Sequence, residues 1–241
     1  FYPFPEKGVY MTKRPFPTEL AYLAGICILA FGAAFMEASD FGVSMVVAPA
    51  YLCFRKLSPI FPFFTYGMAE YTLQALLLVL TVLCLRKFRL SYLFSFVTAV
   101  FYGMVLDLGM WLLDFIPYNG LPIRVGYYLI GIFFCALGVS LLFHTYIAPE
   151  VYELFVKEVS AKYGFDINKT KTVYDCTSCV VSVLLSFAFF GFLHFEGVKW
   201  GTILVAPING FLIGLCSKWM DKRFDWVDTL PLRGFFEGKK A

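Results

Sequence analysis

The sequence predicts an all-α, polytopic membrane protein with six transmembrane helices, and three observations lead to this fold class. The first is composition: 60% of the 241 residues are hydrophobic, 15% are charged, and the mean hydropathy is +0.74. A water-soluble domain of this length cannot bury that much apolar surface. The second is that the apolar runs are long enough for helices that cross a bilayer. The third is that these runs lack the ten-residue alternation typical of outer-membrane barrels.

Six apolar runs give the predicted spans. They cover residues 20–38, 63–85, 90–116, 121–144, 172–194 and 199–220. The chain then divides into an N-terminal cytoplasmic segment (1–18), a first group of three spans (19–117), a second group of three spans (118–220) and an amphipathic cytoplasmic tail (221–241). Because Met11 and the residues after it read like a start, residues 1–10 are treated as an upstream extension and stay outside the fold prediction.

The distribution of basic residues predicts the orientation. Sixteen of the twenty Lys and Arg residues fall in the N-terminal segment, the loop 86–89, the segment 145–171 and the tail after residue 217. Cytoplasmic loops carry an excess of Lys and Arg, so both termini are predicted to be cytoplasmic. The tail alternates basic and aromatic residues, which predicts an anchor on the anionic lipid of the bilayer. The four basic residues of the opposite loops are Arg55, Lys56, Arg124 and Lys199.

Two connections contain apolar segments that are too short to span, at residues 44–57 and 149–164. Ser44 is a candidate cap for the first segment, Pro149 suits the first helical position of the second, and Gly164 is its predicted stop. The second segment carries Glu150 and Glu153 opposite its apolar face. Both segments are predicted to be re-entrant or interfacial half-helices whose N-termini face the interior and favour an anionic group of a solute. The gating or half-helix candidates are Ser44, His144, Pro149 and Glu150.

The two groups of spans match one another at near-constant offsets. Because each group contains an odd number of spans, the second must enter the membrane inverted with respect to the first. This predicts two inverted three-helix repeats, each with a half-helix after its first span, an architecture that many transporters share. The matched pairs are Gly25 with Gly131 and Gly32 with Gly138 (offset of 106), Glu70 with Asp175 (105), and Gly103 with Gly210 and Tyr102 with Asn209 (107).

Two acidic residues inside spans are the main functional candidates. An acidic residue near the centre of a membrane helix costs roughly 2.5 to 3.5 kcal/mol, and such residues usually face a cavity or a partner. Glu70 and Asp175 are therefore predicted to line a central cavity. The alternative is that Glu70 is protonated or hydrogen-bonded between helices and that Asp175 pairs with Lys171 one turn away. The other candidates for the cavity lining are Tyr66 and Gln74 beside Glu70, Ser178 beside Asp175, and Tyr102, Asp107 and Asn209 in the last spans of the two groups.

Asp107 and Asn209 also have structural alternatives. Asp107 lies inside the third span, and its alternative role is that of an aspartate in the outer leaflet. Asn209 lies near the middle of the last span, where it could equally join two helices by a hydrogen bond.

The chain resembles the YczE/YyaS/YitT-like family of bacterial integral membrane proteins over residues 17–236. The resemblance rests on Phe41-Gly-Val-Ser44, on the Tyr-Gly-x-x-Glu70 entry to the second span, on Gly103-Met-Val-Leu-Asp107 and on Asn209-Gly210. It implies a protein of the bacterial cytoplasmic (inner) membrane with a suspected transport role and no named substrate. The soluble C-terminal domain of the longer YitT-type members is missing here, so its regulatory role is not carried over.

The predicted function is a secondary transporter for a small solute bound between the two repeats, and coupling to protons is one option for its driving force. Alternatives are a substrate-binding membrane subunit of an ATP-driven importer, and a non-transporting scaffold or assembly factor. The expected partners are a small-molecule solute and the lipid bilayer, with a homo-oligomer or an ATPase module as further candidates and no nucleic acid. No enzyme, cofactor or metal site is expected, because the sequence has no phosphate loop, nucleophile elbow or zinc-helix motif and its two histidines lie in loops on opposite sides.

Overall fold

The computed structural model describes residues 13–42, 44–64, 66–116, 120–192 and 198–237, except for the side chains at positions 66, 67 and 237. Six helices in these ranges are long and apolar enough to cross a membrane, which confirms the predicted multi-pass helical membrane fold. The spanning helices are α1 (Thr18–Ser39), α3 (Tyr66–Leu85), α4 (Phe94–Asp114), α5 (Leu121–Phe143), α7 (Ile167–Phe190) and α8 (Trp200–Arg223), and the short ones are α2 (Ala48–Leu57), α6 (Val151–Tyr163) and α9 (Arg233–Glu237).

The helix ends agree with the predicted spans to within a few residues, with one clear difference. The sequence predicts the fifth span from residue 172, but α7 begins at Ile167. Asp166 caps this earlier start, because its Oδ1 accepts a hydrogen bond from the backbone N–H of Lys169 over 2.9 Å. The first turn of α7 is polar, so an apolar run does not reveal it. The predicted end of this span, at residue 194, lies outside the described residues.

The short helix α2 begins later than predicted. Its N-cap residue is Val47 and its first helical residue is Ala48, so Ser44 is not the cap. Ser44 instead accepts hydrogen bonds through its backbone carbonyl from Val47 and Ala48 in the preceding turn. The start of α2 is buried, with Ala48 and Leu52 fully inaccessible, whereas Arg55 near its end is exposed. The N-terminus of α2 therefore points into the protein.

The short helix α6 also starts slightly after its predicted position. Glu150 is its N-cap and Val151 its first helical residue, so Pro149 precedes the cap and is not in the first turn. Gly164 ends the helix as predicted, with a φ of +69° that glycine adopts without steric cost. The first turn of α6 is buried and the residues at its C-terminal end are exposed.

α6 and the segment before it form a re-entrant element. Between Phe143 and Val151 the chain has seven residues, which can reach roughly 23 to 25 Å when extended. Tyr146, Ile147 and Ala148 in this segment are buried. α6 then returns over 13 residues, roughly 20 Å, to the end of α3, where the hydroxyl of Tyr163 donates to the carbonyl of Cys84. The N-terminus of α6 thus lies deep in the bundle.

α1 and α5 form the centre of the bundle through four glycines. They run antiparallel, with Gly25 against Gly138 and Gly32 against Gly131. The backbones approach so closely that a Cβ on Gly138 would lie 2.7 Å from the backbone nitrogen of Leu29. Small residues allow this approach between membrane helices. The two pairs are related by the offset of 106 residues found in the sequence: Gly25 corresponds to Gly131, and Gly32 corresponds to Gly138.

Most of the remaining contacts between the larger helices follow the same correspondence. α1 packs on α4 as α5 packs on α8, α2 packs on α3 as α6 packs on α7, and α3 packs on α6 as α7 packs on α2. α7 packs along α8, but α3 and α4 make no comparable contact within their described residues. α6 contacts both α3 and α4.

A small parallel sheet is an element that the all-α prediction does not contain. Strand β1 (Arg14–Pro17) pairs with strand β2 (Phe224–Val227), so that the segments before α1 and after α8 lie side by side. The ring of Phe16 packs against those of Phe224 and Trp226, with centroids 5.0 and 5.8 Å away. The aromatic residues of this part of the tail thus contact the protein itself. Each strand is four residues long, and two of the residues in β1 are prolines, so no sequence pattern reveals the pairing.

Candidate functional site

Lys171 is the centre of the candidate site. Its ammonium nitrogen lies 2.9 Å from Asp175 Oδ1 on the same helix and 3.3 Å from Glu153 Oε1 on α6. The three side chains are at most 4% exposed. A buried ammonium of this kind is stable when carboxylates surround it, since an isolated charge in the interior costs several kcal/mol or more. Asp175 therefore pairs with Lys171, as the structural alternative expects, but in the bundle interior.

Asn209 connects α8 to this ion pair. Its Nδ2 donates to Asp175 Oδ2 over 2.7 Å, and both residues are buried. The close approach of the helices is possible because the next residue is Gly210: a Cβ there would lie 2.0 Å from Thr172 Oγ1 and 2.3 Å from the carbonyl oxygen of Asn168. The residues on α7 and α8 that the sequence analysis selected are therefore in direct contact.

Glu70 belongs to the same buried region but has different partners. Its Oε1 accepts a hydrogen bond from the hydroxyl of Tyr152 on α6 over 2.8 Å and a longer one, 3.3 Å, from Gln74 Nε2. Oε2 of Glu70, Oε1 of Gln74 and Oε2 of Glu153 are buried and accept no hydrogen bond from the described residues. These acceptors point into the protein, where a proton or a donor from a ligand would satisfy them.

Glu150 completes the site, and its electrostatics set the charge balance. Burial raises its pKa well above the usual value, and the negative charges of Glu153 and Glu70 raise it further. Glu70, Glu150, Glu153 and Asp175 form the set that we call the acid cluster. Lys171 interacts electrostatically with Glu150, Glu153 and Asp175 of this set. The carboxyl groups of the acid cluster repel one another when they are ionised, and Lys171 compensates the charges of the two that it contacts, Glu153 and Asp175.

Glu153 is the residue of the acid cluster that the sequence analysis did not select. The amphipathic pattern places Glu150 and Glu153 opposite the apolar face of α6, and both are nevertheless buried: Glu150 is 6% exposed and Glu153 is 3% exposed. The N-terminal half of α6 is surrounded by other helices, so its polar face is also internal. One signal in the sequence could have indicated that these two acids are buried. Both lie within four residues of Pro149, at the start of the helix.

Asp107 does not join the acid cluster. It lies on α4 with its side chain exposed, consistent with the alternative of an aspartate at the lipid or headgroup surface. Tyr102, on the same helix, is half-buried and packs on the main apolar core. Ser178 is half-buried on α7, one turn beyond Tyr174. The side chain of Tyr66 lies outside the described residues.

His144 lies at the end of α5, away from the acid cluster. Its Nδ1 is 2.6 Å from the carbonyl oxygen of Ser140 and its Nε2 is 3.1 Å from Asp221 Oδ1. The ring stacks on Trp226 with centroids 4.5 Å apart. His144 therefore fastens the tail to α5.

A cavity of about 210 Å³ lies at the end of the bundle that carries the tail. One wall is the re-entrant segment up to Pro149 together with Lys157 of α6, and the opposite wall includes Arg233 and Phe236 of α9. Tyr92, in the 3₁₀ turn Leu90–Leu93 before α4, lines it as well. Pro149, which directly precedes Glu150, is one of the residues that line this cavity.

The opposite end of the bundle carries an exposed ion triad. Asp40 contacts Lys199 Nζ through Oδ1 and lies 3.0 Å from Arg124 Nη2 through Oδ2. The hydrogen bond from Lys199 is the main reason that the pKa of Asp40 is below its usual value, and Arg124 lowers it further. Arg124 Nε also donates to the carbonyl of Ser39 over 2.8 Å. The triad joins the ends of α1, α5 and α8.

The described residues contain no group of three or more His, Cys, Asp or Glu side chains arranged to hold a metal ion. Their cysteines are free thiols, Cys176 and Cys179 among them.

Comparisons with known proteins give one match. No curated protein and no solved structure matches the chain. The model of one family matches residues 16–218, which includes all six spanning helices up to Lys218 in α8 and every residue of the acid cluster. The chain belongs to this family, described as a family of unknown function (DUF6198).

Proposed function

We propose that this protein is a secondary transporter for a small solute and that the acid cluster binds the solute or its coupling proton. The observation that carries the proposal is a buried group of four carboxyls from α3, α6 and α7 at the deep end of a re-entrant helix, two of which, Asp175 and Glu153, pair with Lys171. Sites of this kind, near interrupted helices inside a membrane bundle, are typical of transporters. A bundle that needs only stability gains little from buried ion pairs, since apolar residues of similar size are often at least as stable.

The charge of the site favours protons and cationic groups. The N-terminus of α6 carries a partial positive charge, which led to the expectation of an anionic solute. That end of the helix is already occupied by Glu150 and Glu153 of the protein itself. With Glu70 and Asp175 nearby, the acid cluster has an excess of negative groups over Lys171. The proposed ligands are therefore a proton and a solute with a cationic or hydrogen-bond-donating group.

The inverted repeat is part of the proposal, and the contact pattern supports it. The contacting glycines of α1 and α5 are related by an offset of 106 residues, and Glu70 and Asp175 are related by an offset of 105. The re-entrant α6 and the short helix α2 occupy corresponding positions, each with a buried N-terminus. Movement of one repeat against the other would expose the acid cluster alternately to the two sides. The resemblance to the YczE/YyaS/YitT-like family, with its suspected transport role, agrees with this function.

A ligand screen and one pair of variants test the function. The purified protein is screened by thermal unfolding against a panel of small amines, amino acids and neutral metabolites, and each stabilising compound is then tested for uptake into proteoliposomes with and without a pH gradient. Glu70→Gln should remain folded, because the amide oxygen still accepts from Tyr152, and should lose uptake. Asp107→Asn is the matched control, since it neutralises an exposed carboxylate in a span. Uptake that is equal in Glu70→Gln and wild type would overturn the site, and copurification with an ATPase would favour the importer subunit.

The proposed orientation places both termini in the cytoplasm of a bacterial inner membrane. This orientation can be tested with single cysteines introduced into a cysteine-free variant at Pro59 or Lys222. Both residues are exposed, and they lie at opposite ends of the bundle. An impermeant thiol reagent should label Pro59→Cys in intact cells and Lys222→Cys only after the cells are opened. The reverse pattern would contradict the orientation.

A further inference from the structure

The two repeats differ in the hydrogen bond that their central acid makes. In the second repeat, Asn209 on α8 donates to Asp175 on α7 over 2.7 Å. The corresponding residues of the first repeat are Tyr102 on α4 and Glu70 on α3. A tyrosine hydroxyl can donate to a carboxylate as an amide nitrogen does. In this structure, however, Glu70 accepts from Tyr152 of α6.

The helix packing differs in the same way. α7 and α8 are in close contact at Gly210, where a Cβ would collide with Thr172 and Asn168. At the corresponding Gly103 of α4, no atom of the described residues lies within 4 Å of such a Cβ. α6 and the segment before it occupy the space between α3 and α4: Tyr152 binds Glu70 on one side, and Thr98 of α4 donates to the carbonyl of Ala148 on the other over 2.9 Å.

We infer that Tyr102 is the hydrogen-bond donor to Glu70 in a second conformation, in which α3 closes on α4 at Gly103 and α7 separates from α8. The inference rests on the proposed function, because alternating access requires the two repeats to exchange conformations. In the second conformation α6 withdraws from between α3 and α4, and α2 takes the corresponding place between α7 and α8. Glu70 then exchanges Tyr152 for Tyr102, and Asp175 loses Asn209.

This exchange connects the acid cluster to the access of the site. In the present conformation Asn209 of the same repeat holds Asp175, and Tyr152 from the re-entrant element of the other repeat holds Glu70. In the second conformation Tyr102 of its own repeat holds Glu70. A ligand or proton that binds better to one arrangement shifts the population toward it. Tyr102 is therefore a positioning residue, because its hydroxyl donates to Glu70 only in the second conformation and so stabilises that conformation.

Two cysteine pairs report the two conformations without any knowledge of the solute. Native Cys179 and Ala206→Cys form the first pair, since Cys179 and Ala206 belong to one small core cluster between α7 and α8. Gln74→Cys and Ala99→Cys form the second, at the corresponding positions of α3 and α4. All other cysteines are replaced. A disulfide requires Cα atoms within roughly 7 Å, so each pair forms a crosslink only when its helices are closed.

Three substitutions test the equilibrium between the present conformation and the second one. Gly210→Val prevents closure of α7 on α8, so it should lower the 179/206 crosslink and raise the 74/99 crosslink by about tenfold or more. Gly103→Val, the matched control, has room in the present conformation and blocks only the second, so the 179/206 crosslink should persist and the 74/99 crosslink should vanish. Tyr102→Phe, added to Gly210→Val, should reduce the 74/99 crosslink, while alone it should leave the 179/206 crosslink unchanged.

The outcomes separate this inference from the proposed function. If Gly210→Val is monodisperse by size-exclusion chromatography and the 74/99 pair still does not crosslink, the second conformation is wrong. If Tyr102→Phe leaves the 74/99 crosslink at full strength, the role of Tyr102 is wrong. If the crosslinks exchange as expected but Gly103→Val has no effect on uptake of a solute found by the screen, the conformational exchange stands and its role in transport fails. Should Gly210→Val not fold, Gly210→Ala is the milder substitution at the same contact and gives the same test.

Discussion

The ammonium group of Lys171 lies 2.9 Å from Asp175 Oδ1, one turn further along α7, and neither side chain is more than 2% exposed. The second carboxylate on Lys171, Glu153, comes from the re-entrant helix α6. A single lysine therefore holds a spanning helix and a re-entrant helix together. Because either acid can neutralise it, the two acids should not contribute independently to stability.

A double-mutant cycle measures this dependence. Asp175→Asn should destabilise by about 1–3 kcal/mol, since Lys171 keeps Glu153, and Glu153→Gln should do the same through Asp175. The double variant leaves Lys171 without either carboxylate, so its loss should exceed the sum of the two single losses by up to about 3 kcal/mol, or it should fail to fold. Unfolding of the purified protein in detergent provides the measurement. Additive effects would show that Lys171 is neutral or has another partner.

Glu150 should make the protein less stable as pH rises. Its folded-state pKa is raised by burial, so the folded protein binds more protons than the unfolded chain. Its favourable contribution is complete below the unfolded pKa of about 4.3 and is lost as pH rises toward the raised folded value. Glu150→Gln should flatten this part of the profile and be more stable than wild type at neutral pH. The measurement is the difference in melting temperature between wild type and Glu150→Gln at pH 5 and at pH 8. If this difference does not change in favour of the variant as the pH rises, Glu150 is not buried in its protonated form.

Asp40 should have the opposite pH dependence. The hydrogen bond from Lys199 and the charge of Arg124 lower its folded pKa, so its contribution is present above the unfolded pKa of about 3.9 and is lost as pH falls through the folded value. The side chain is 65% exposed, so the contribution should not exceed about 1 kcal/mol. Asp40→Asn should lower the melting temperature slightly at pH 6, and this difference should become smaller as the pH falls below about 3.9. High salt should reduce the difference, and an effect that is insensitive to salt would indicate another cause.

The close approach of α1 and α5 can be tested with two alanines on the same helix. Gly138→Ala places a Cβ 2.7 Å from the backbone nitrogen of Leu29, so the helices must separate, and the expected loss is about 1–3 kcal/mol. Gly126→Ala is the control, because no described atom lies within 4 Å of its Cβ, and alanine there should be neutral or stabilise by up to about 1 kcal/mol. Equal melting temperatures for the two variants would show that the helices are further apart.

The parts of the fold that could be predicted are those that depend on local composition. Long apolar runs must be helical in a bilayer, because the backbone has no water to bind there. Gly25 and Gly138 could be recognised as a contact, since their offset relates them to the other glycine pair. The first turn of α7 could not, because Asp166 and Lys169 form a cap in a polar stretch.

The candidate site could be predicted only in part. Glu70, Asp175 and Asn209 stand out because each is polar within an apolar span. Glu153 does not, since the pattern of α6 is that of a surface helix and the surrounding helices that bury it come from distant parts of the chain. Asp107 has the same local context as Glu70 but lies on the exposed face of α4. Tertiary packing decides which face of a spanning helix contacts protein and which contacts lipid. The local sequence of the helix does not contain this information.

The pairing of β1 with β2 has a consequence for the order in which the chain assembles. Thr18 and Glu19 bind Asp228 and Thr229 across 210 residues of sequence. A ribosome adds about 5–20 residues per second, so these contacts become available only about 10 to 40 s after α1 has been made. During that interval the carboxylate of Glu19 must be hydrated by water or lipid headgroups at the membrane surface. Joining of the two segments is therefore a late event of biosynthesis, and it requires that α8 has been inserted with its end on the same side as the start of α1.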